Sequence, residues 1–339
     1  MTSRELAGSL NGAILGAMLA TPARKFLFLC FTLIGISTTC AAQGIHPTDY
    51  PFQVQPYPEL VKLFDYKGDA PINAKLNPLV SKGGIQVSEI QYDDPLGGDP
   101  LQGYLVESGP KSPQAAVVFI HSEGRNDFLP EAIFLARLGA ITISLDSPVR
   151  KSYPEQMQHT VVAVRRAFDY LASRRDVDHR KICVVGHSFG AMMSAVVAGI
   201  DNRFKCFVFE GGELGMTFHY RGTIGPDRKD REKAPPDVFT KAMAEIAPYD
   251  AIHYAGYIRA ATLFQSGRLD VGVSETEATY FYEAASGPKQ IEWYDTSHNL
   301  GYDPEVLKDR AEFLRKQLGL SPPMPLLCAE LGLNQHCRK

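Results

Sequence analysis

The sequence predicts an α/β domain built on a mostly parallel sheet with helices on both faces. Three observations carry that expectation. Short, largely apolar runs, AAVVFI (115–120), AITISL (140–145) and KICVVG (181–186), recur along the chain. Such runs suit strands covered on both sides rather than one. Between them lie stretches with helical spacing, above all MQHTVVAVRRAFDYLASR, where Val161, Val164, Phe168 and Leu171 share one face. Finally, 339 residues that are 45% hydrophobic and 22% charged are ample for one large core.

The elements follow in order. Residues 43–83 are rich in Pro, Asp and Tyr and read as an extended or partly helical lead-in to a domain over 84–320. GIQVSEIQY and LQGYLVES, separated by DDPLGGDP, read as two antiparallel strands joined by a turn-rich loop. After AAVVFI, the segment FLPEAIFLARLG reads as a helix stopped at Gly139. AITISL is followed by the long amphipathic helix, with its arginines expected on the outer face. KICVVG and AMMSAVVAG give the next strand and helix. FKCFVFEG, AATLFQSG and KQIEWYD are further strand candidates. Ser274 and Glu277 form a capping box at the start of SETEATYFYEAAS, and Asp303-Pro304 opens the last helix with a cap and a proline. Residues 321–339 form a tail.

Arg24-Lys25, the apolar run FLFLCFTLIGI and then STTCAAQ have the order of a secretory signal, cut before Gln43, which makes residues 1–42 a signal peptide. Its apolar core is shorter than the ~18 residues of a spanning helix, so no stable membrane span is expected in the mature form. An uncleaved N-terminal anchor is the alternative. Export directs attention to the cysteines, of which there are six. Cys30 and Cys40 would leave with the signal. Cys183 and Cys206 lie in apolar strands and are expected to be buried free thiols. Cys328 and Cys337 flank a short polar tail, where a disulfide is an open possibility. The net charge of −3 offers no basic field for nucleic acid. No CxxC or HExxH pattern suggests a metal site, and no cofactor is implied.

The chemistry centres on VVGHSFGAMM. Ser188 lies between Gly186 and Gly190, where a strand gives way to a helix. A tight strand-to-helix elbow needs residues without a Cβ on either side, and it lifts the serine hydroxyl to the carboxyl edge of the sheet. Serine is a poor nucleophile until a base takes its proton and an acid orients that base. His219, His253, His298 and His336 follow Ser188. His298, between the last strand and the last helix, is the candidate base. Asp270, in SGRLD after the preceding strand, is the candidate acid, with Glu210 as its rival. Asp295 more simply ends its strand. The backbone N–H groups of Phe189 and Glu123 are the candidate oxyanion donors, the second from the loop FIHSEGRNDF, where His121 reads as a loop brace.

These residues together resemble the α/β-hydrolase superfamily, and in particular its dienelactone-hydrolase-like and acyl-peptidase-like serine esterases. The resemblance runs from about Gly84 to Leu320. It implies an eight-stranded sheet with Ser188, Asp270 and His298 as a triad, and a small cap inserted at about 212–250 over the site. Met216, Phe218 and Tyr220 in that insertion would line a pocket or pack the cap down. Two departures stand out. Ser122 occupies the place where the family loop usually has glycine, and the nucleophile is serine where dienelactone hydrolases proper carry cysteine.

Three functions follow as expectations. The first is a carboxylic-ester hydrolase acting on a small-molecule ester. The second is a serine peptidase of the prolyl-oligopeptidase type, disfavoured because such enzymes usually carry a propeller for which the chain has no room. The third is a non-catalytic binding protein on the same fold.

Overall fold

The computed structural model describes residues 46–109, 113–221 and 235–323. The expected signal segment, the Cys328–Cys337 pair, His336 and the charged stretch 222–234 of the insertion lie outside the described residues.

Among the described residues the strands are β1 Lys75–Lys82, β2 Ile85–Tyr92, β3 Leu101–Ser108, β4 Gln114–His121, β5 Ala140–Leu145, β6 Val177–His187, β7 Cys206–Glu210, β8 Ala261–Gly267 and β9 Lys289–Tyr294. They form one sheet in the order β1-β2-β3-β5-β4-β6-β7-β8-β9. The β1–β2, β2–β3 and β3–β5 pairs are antiparallel, and every pairing from β5 to β9 is parallel. The sheet therefore has nine strands among the described residues rather than eight. The added strand, β1, comes from the segment expected to be a lead-in. KLNPLVSK reads poorly as a strand because it is polar and holds a proline. An edge strand needs neither burial nor a full set of N–H donors, and β1 is exposed along most of its length.

Period-two alternation splits each central strand between two cores. Ala116, Val118 and Ile120 face one hydrophobic cluster, while Ala115, Val117 and Phe119 face the other. The first cluster is closed by α3 (Tyr153–Ser173), α4 (Phe189–Ile200) and α7 (Glu275–Ala284). The second is closed by α2 (Leu129–Arg137) and α8 (Pro304–Leu318). Caps open α7 and α8 where the sequence indicates. Ser274 and Glu277 make the reciprocal bonds of a capping box on α7, and Asp303 accepts from the Glu305 N–H at the start of α8.

The lead-in straps across α3 and α4. Its helix α1 (Tyr57–Lys62) buries Leu60, and Phe64 just beyond is fully buried. Tyr57 donates from its hydroxyl to the Gly199 carbonyl at 2.6 Å. This strap corrects the expectation that the α3 arginines point to solvent. Arg166 has no exposed surface. Its guanidinium donates to the carbonyls of Ala70 at 2.6 Å and Pro71 at 2.8 Å, and lies 3.3 Å from Asp169. Planar donors suit several carbonyls at once, so a residue that looks solvated by helical periodicity becomes the anchor of a nonhelical segment.

The insertion after β7 contributes α5 (Met216–Arg221) and α6 (Pro236–Ile246). Phe218 is buried and stacks on Tyr50 of the lead-in with centroids 5.5 Å apart, so this aromatic packs the insertion down. Beneath it the Asp250 carboxylate accepts from the hydroxyls of Tyr50, at 2.9 Å, and Thr217. Burial pushes the Asp250 carboxyl up to about 7. Among the described residues no helix is long and apolar enough to cross a membrane.

Cys183 and Cys206 are joined in a disulfide, which corrects the expectation of free thiols. The two residues are direct register partners on the parallel strands β6 and β7, with Cα atoms 4.7 Å apart. That separation is within the range a disulfide bridges, and no sequence pattern announces adjacency of two strands linked by a helix. The bond encloses a sequence separation of 23 residues, for which the chain-entropy estimate is about 3 kcal/mol. Non-reducing peptide mapping is expected to recover the two cysteines in one linked fragment. The double variant Cys183→Ala/Cys206→Ala is expected to lose about 3 kcal/mol in chemical denaturation.

Candidate active site

Ser188 is the single residue between the end of β6 and the start of α4. Its φ of 55° and ψ of −121° lie in a region that non-glycine residues rarely adopt. Two glycines make the turn possible. A Cβ on Gly190 would stand 2.1 Å from the Ile120 carbonyl oxygen of β4, and one on Gly186 would stand 2.4 Å from the Gly190 carbonyl oxygen. The strained residue is held from the other side by its own N–H, which donates to the Glu210 carbonyl at 2.8 Å.

His298 lies on the loop from β9 to α8, and Asp270 on the loop after β8. The structure brings both to the serine. His298 Nε2 is 2.9 Å from Ser188 Oγ, and His298 Nδ1 is 2.7 Å from Asp270 Oδ2. Asp270 is itself fixed, since Oδ1 accepts the N–H groups of Gly272 at 2.7 Å and Val273 at 3.0 Å. A carboxylate so held keeps the imidazole proton on Nδ1 and leaves the Nε2 lone pair facing the hydroxyl. Gly211, with φ of +56°, passes beneath the ring, and a Cβ there would be 3.3 Å from His298 Cε1.

The other candidates lie elsewhere. Glu210 is fully buried and pairs with Arg310 of α8, whose other nitrogen is 2.7 Å from Glu131 of α2. Glu131 is pushed up to about 7, because burial opposes its charge and Glu210 already shares the arginine. Asp295 is exposed and lies 3.6 Å from Arg268. His219 pairs with the buried Glu213 at 2.8 Å, and His253 packs against the Tyr50 ring at 5.1 Å.

Of the two expected oxyanion donors, the Phe189 N–H opens helix α4 and has no intrahelical acceptor, as at any helix start. The Glu123 N–H differs from expectation, because it donates to His121 Nδ1 at 2.9 Å. His121 does brace the loop, but it does so through the amide assigned to a ligand oxygen. Burial, then the nearby His187 and His298, push the His121 imidazole down to about 3, so it is neutral and able to accept.

The residue the sequence reading passed over is His187. Its ring stacks on His121 at 4.3 Å and lies 4.8 Å from the His298 ring. Its Nε2 is 2.8 Å from the His298 carbonyl oxygen. Parity within β6 puts it on the same face as Val185, but its neighbours become visible only with the strand order.

The strand order, the elbow and the loops that follow β6, β8 and β9 define the class of architecture: the chain has the α/β-hydrolase fold. A sequence profile of the prolyl oligopeptidase family matches residues 153–320. Acetyl esterase Axe7A of Xylanibacter ruminicola is 30% identical over 155 residues, 45% of this chain and 34% of that protein. The chain thus spans about a third of the length of the curated relative it matches. The acetyl xylan esterase of Paenibacillus sp. R4 superposes with a TM-score of 0.66 at 20% identity, covering 80% of this chain and 98% of its own. Acetyl xylan esterase 1 of a Thermoanaerobacterium species also gives 0.66, at 13% identity, covering 81% and 96%. At such identities the structural likeness concerns the fold.

The elbow makes a direct prediction. Gly190→Ala forces a Cβ into backbone that cannot retreat. It is expected to cost at least ~3 kcal/mol or to prevent soluble expression, as read by the denaturation midpoint. A Gly190→Ala protein of parental stability would contradict the contact with β4.

Proposed function

We propose that the chain is a serine hydrolase that cleaves a carboxylic ester through an acyl-enzyme on Ser188. The observation that carries the reading is the chain of contacts from Ser188 Oγ to His298 Nε2 at 2.9 Å and from His298 Nδ1 to Asp270 Oδ2 at 2.7 Å. In this reading His298 takes the hydroxyl proton as Ser188 Oγ attacks the ester carbonyl, and Asp270 stabilises the imidazolium that forms. The carbonyl oxygen, now an anion, is met by the Phe189 N–H and the positive end of α4. Glu123 supplies the second N–H, which must be released by His121 Nδ1 or shared with it. His298 then protonates the departing alcohol and activates the water that frees the acid.

The similarity to acetyl and acetyl xylan esterases favours a short acyl group, acetyl first. In this reading the insertion at 212–250, of which residues 212–221 and 235–250 are described, serves as a cap over the site. Its contact with the lead-in through Phe218 and Tyr50 supports a cap held in place. The disulfide between Cys183 and Cys206 supports maturation in an oxidising compartment, in agreement with a signal at residues 1–42 and a periplasmic or secreted enzyme. A second reading, a peptidase, is favoured by the prolyl oligopeptidase profile over residues 153–320.

Nitrophenyl esters of increasing chain length, with aminoacyl anilides beside them, separate these readings. Nitrophenyl acetate is expected to be turned over fastest, with Ser188→Ala slower by about 10⁴-fold or more. Faster cleavage of the anilides would favour the peptidase. Within the same assay Asp270→Asn is expected to lower kcat by about 10³–10⁴-fold. Glu210→Gln, measured where it is folded, is expected to stay within about tenfold of the parent. The reverse order would move the acid to Glu210.

A further inference from the structure

We propose that His187 is a positioning residue that ties the loop of the base to the loop of the oxyanion donor. The inference rests on the hydrolase reading of Ser188, Asp270 and His298 and adds to it a buried imidazole with no place in that chemistry.

His187 precedes the nucleophile and is 4% exposed. Its Nε2 lies 2.8 Å from the carbonyl oxygen of His298. A carbonyl can only accept, so the proton is on Nε2 and the ring donates to the backbone of the base itself. Burial lowers the pKa of His187, which keeps the ring neutral. Its Nδ1 is then a buried lone pair, and among the described residues no donor meets it. Phenylalanine or methionine would fill the same space without that orphan atom. A buried polar atom without a partner calls for an explanation, and the bond to the His298 carbonyl supplies one.

The stacked face of the same ring completes the link. His187 and His121 are register partners on β6 and β4, and their rings stack nearly parallel, with planes 6° apart and centroids at 4.3 Å. His121 Nδ1 in turn accepts the Glu123 N–H. One imidazole therefore contacts the backbone that carries the base and the ring that holds the second oxyanion donor. Its other strand neighbour, Glu210, is held by its ion pair with Arg310. Catalytic geometry tolerates little displacement, and an error of about 1 Å can cost on the order of 100-fold. A donor that pins residue 298 by its main chain holds the imidazole between Ser188 and Asp270 without touching substrate.

Three variants of the full chain test this. His187→Phe keeps a ring and removes the donor, and His187→Met is a second donorless replacement should the first not fold. His187→Gln keeps an N–H donor without the ring. The first readout is the far-downfield proton resonance of the His298 Nδ1–H bonded to Asp270, which needs no substrate. The second is kcat and KM on nitrophenyl acetate. The donorless variants are expected to lose or shift the resonance, and kcat is expected to fall about tenfold or more with KM within about twofold. His187→Gln is expected to retain the resonance and to stay within about threefold of the parent. A donorless variant with the parental resonance overturns the proposal, as does a parent in which the resonance is missing. A parent that shows the resonance but cleaves no ester defeats the hydrolase reading alone, and the variants' spectra still decide the role of His187.

Discussion

The approach of Gly190 to the Ile120 carbonyl is the contact on which the arrangement turns. It sets how closely helix α4 docks on β4, and so how sharply the chain must fold at Ser188. A non-glycine residue with φ of 55° costs on the order of 1–3 kcal/mol. The surroundings hold it there. β4 and β7 flank β6, the Ser188 N–H is taken by the Glu210 carbonyl, and the first turn of α4 closes on the Ser188 carbonyl. The hydroxyl is left at the carboxyl edge of the sheet, beside an unpaired helix N-terminus and within 2.9 Å of an imidazole.

What lies beneath the elbow is unusually fixed. β6 and β7 share a disulfide four residues before the end of each strand at the carboxyl edge, and the same strands end at His187 and Glu210. Arg310 joins Glu210 to Glu131, which ties β7, α8 and α2 in one buried cluster. Such clusters are weak evidence for stability, because desolvation offsets much of the attraction, but removing one partner leaves a buried charge exposed to the full cost. Their effect here is positional: α8 carries the loop of His298 at its start, so the cluster fixes that loop relative to the strand carrying the serine.

Much of this was legible in the sequence, and the misses have physical causes. The parallel core is legible because strands covered on both faces must be largely apolar, as in AAVVFI and ICVVG. Ser188, Asp270 and His298 could be named because each lies just after a recognisable strand. β1 was hidden because an edge strand carries almost no burial signal, and Pro78 argues against a central one. The burial of Arg166 escapes the sequence because helical periodicity is blind to the nonhelical stretch at Ala70 and Pro71 that covers it. The Cys183–Cys206 bond and the His187–His121 stack are both cross-strand register pairs. Register between strands separated by a helix is a tertiary fact, and no local pattern encodes it. The bond from the Glu123 amide to His121 Nδ1 is not legible in the sequence, because the direction of that side-chain acceptor depends on the turn.

The most direct measurement is the site of covalent capture by a fluorophosphonate, located by peptide mapping of the folded protein. The contact of the Ser188 hydroxyl with the His298 imidazole at 2.9 Å, read as nucleophile and base, predicts a single adduct on Ser188, absent from Ser188→Ala. A folded parent that takes up no label, or one labelled at another serine such as Ser194, would contradict it.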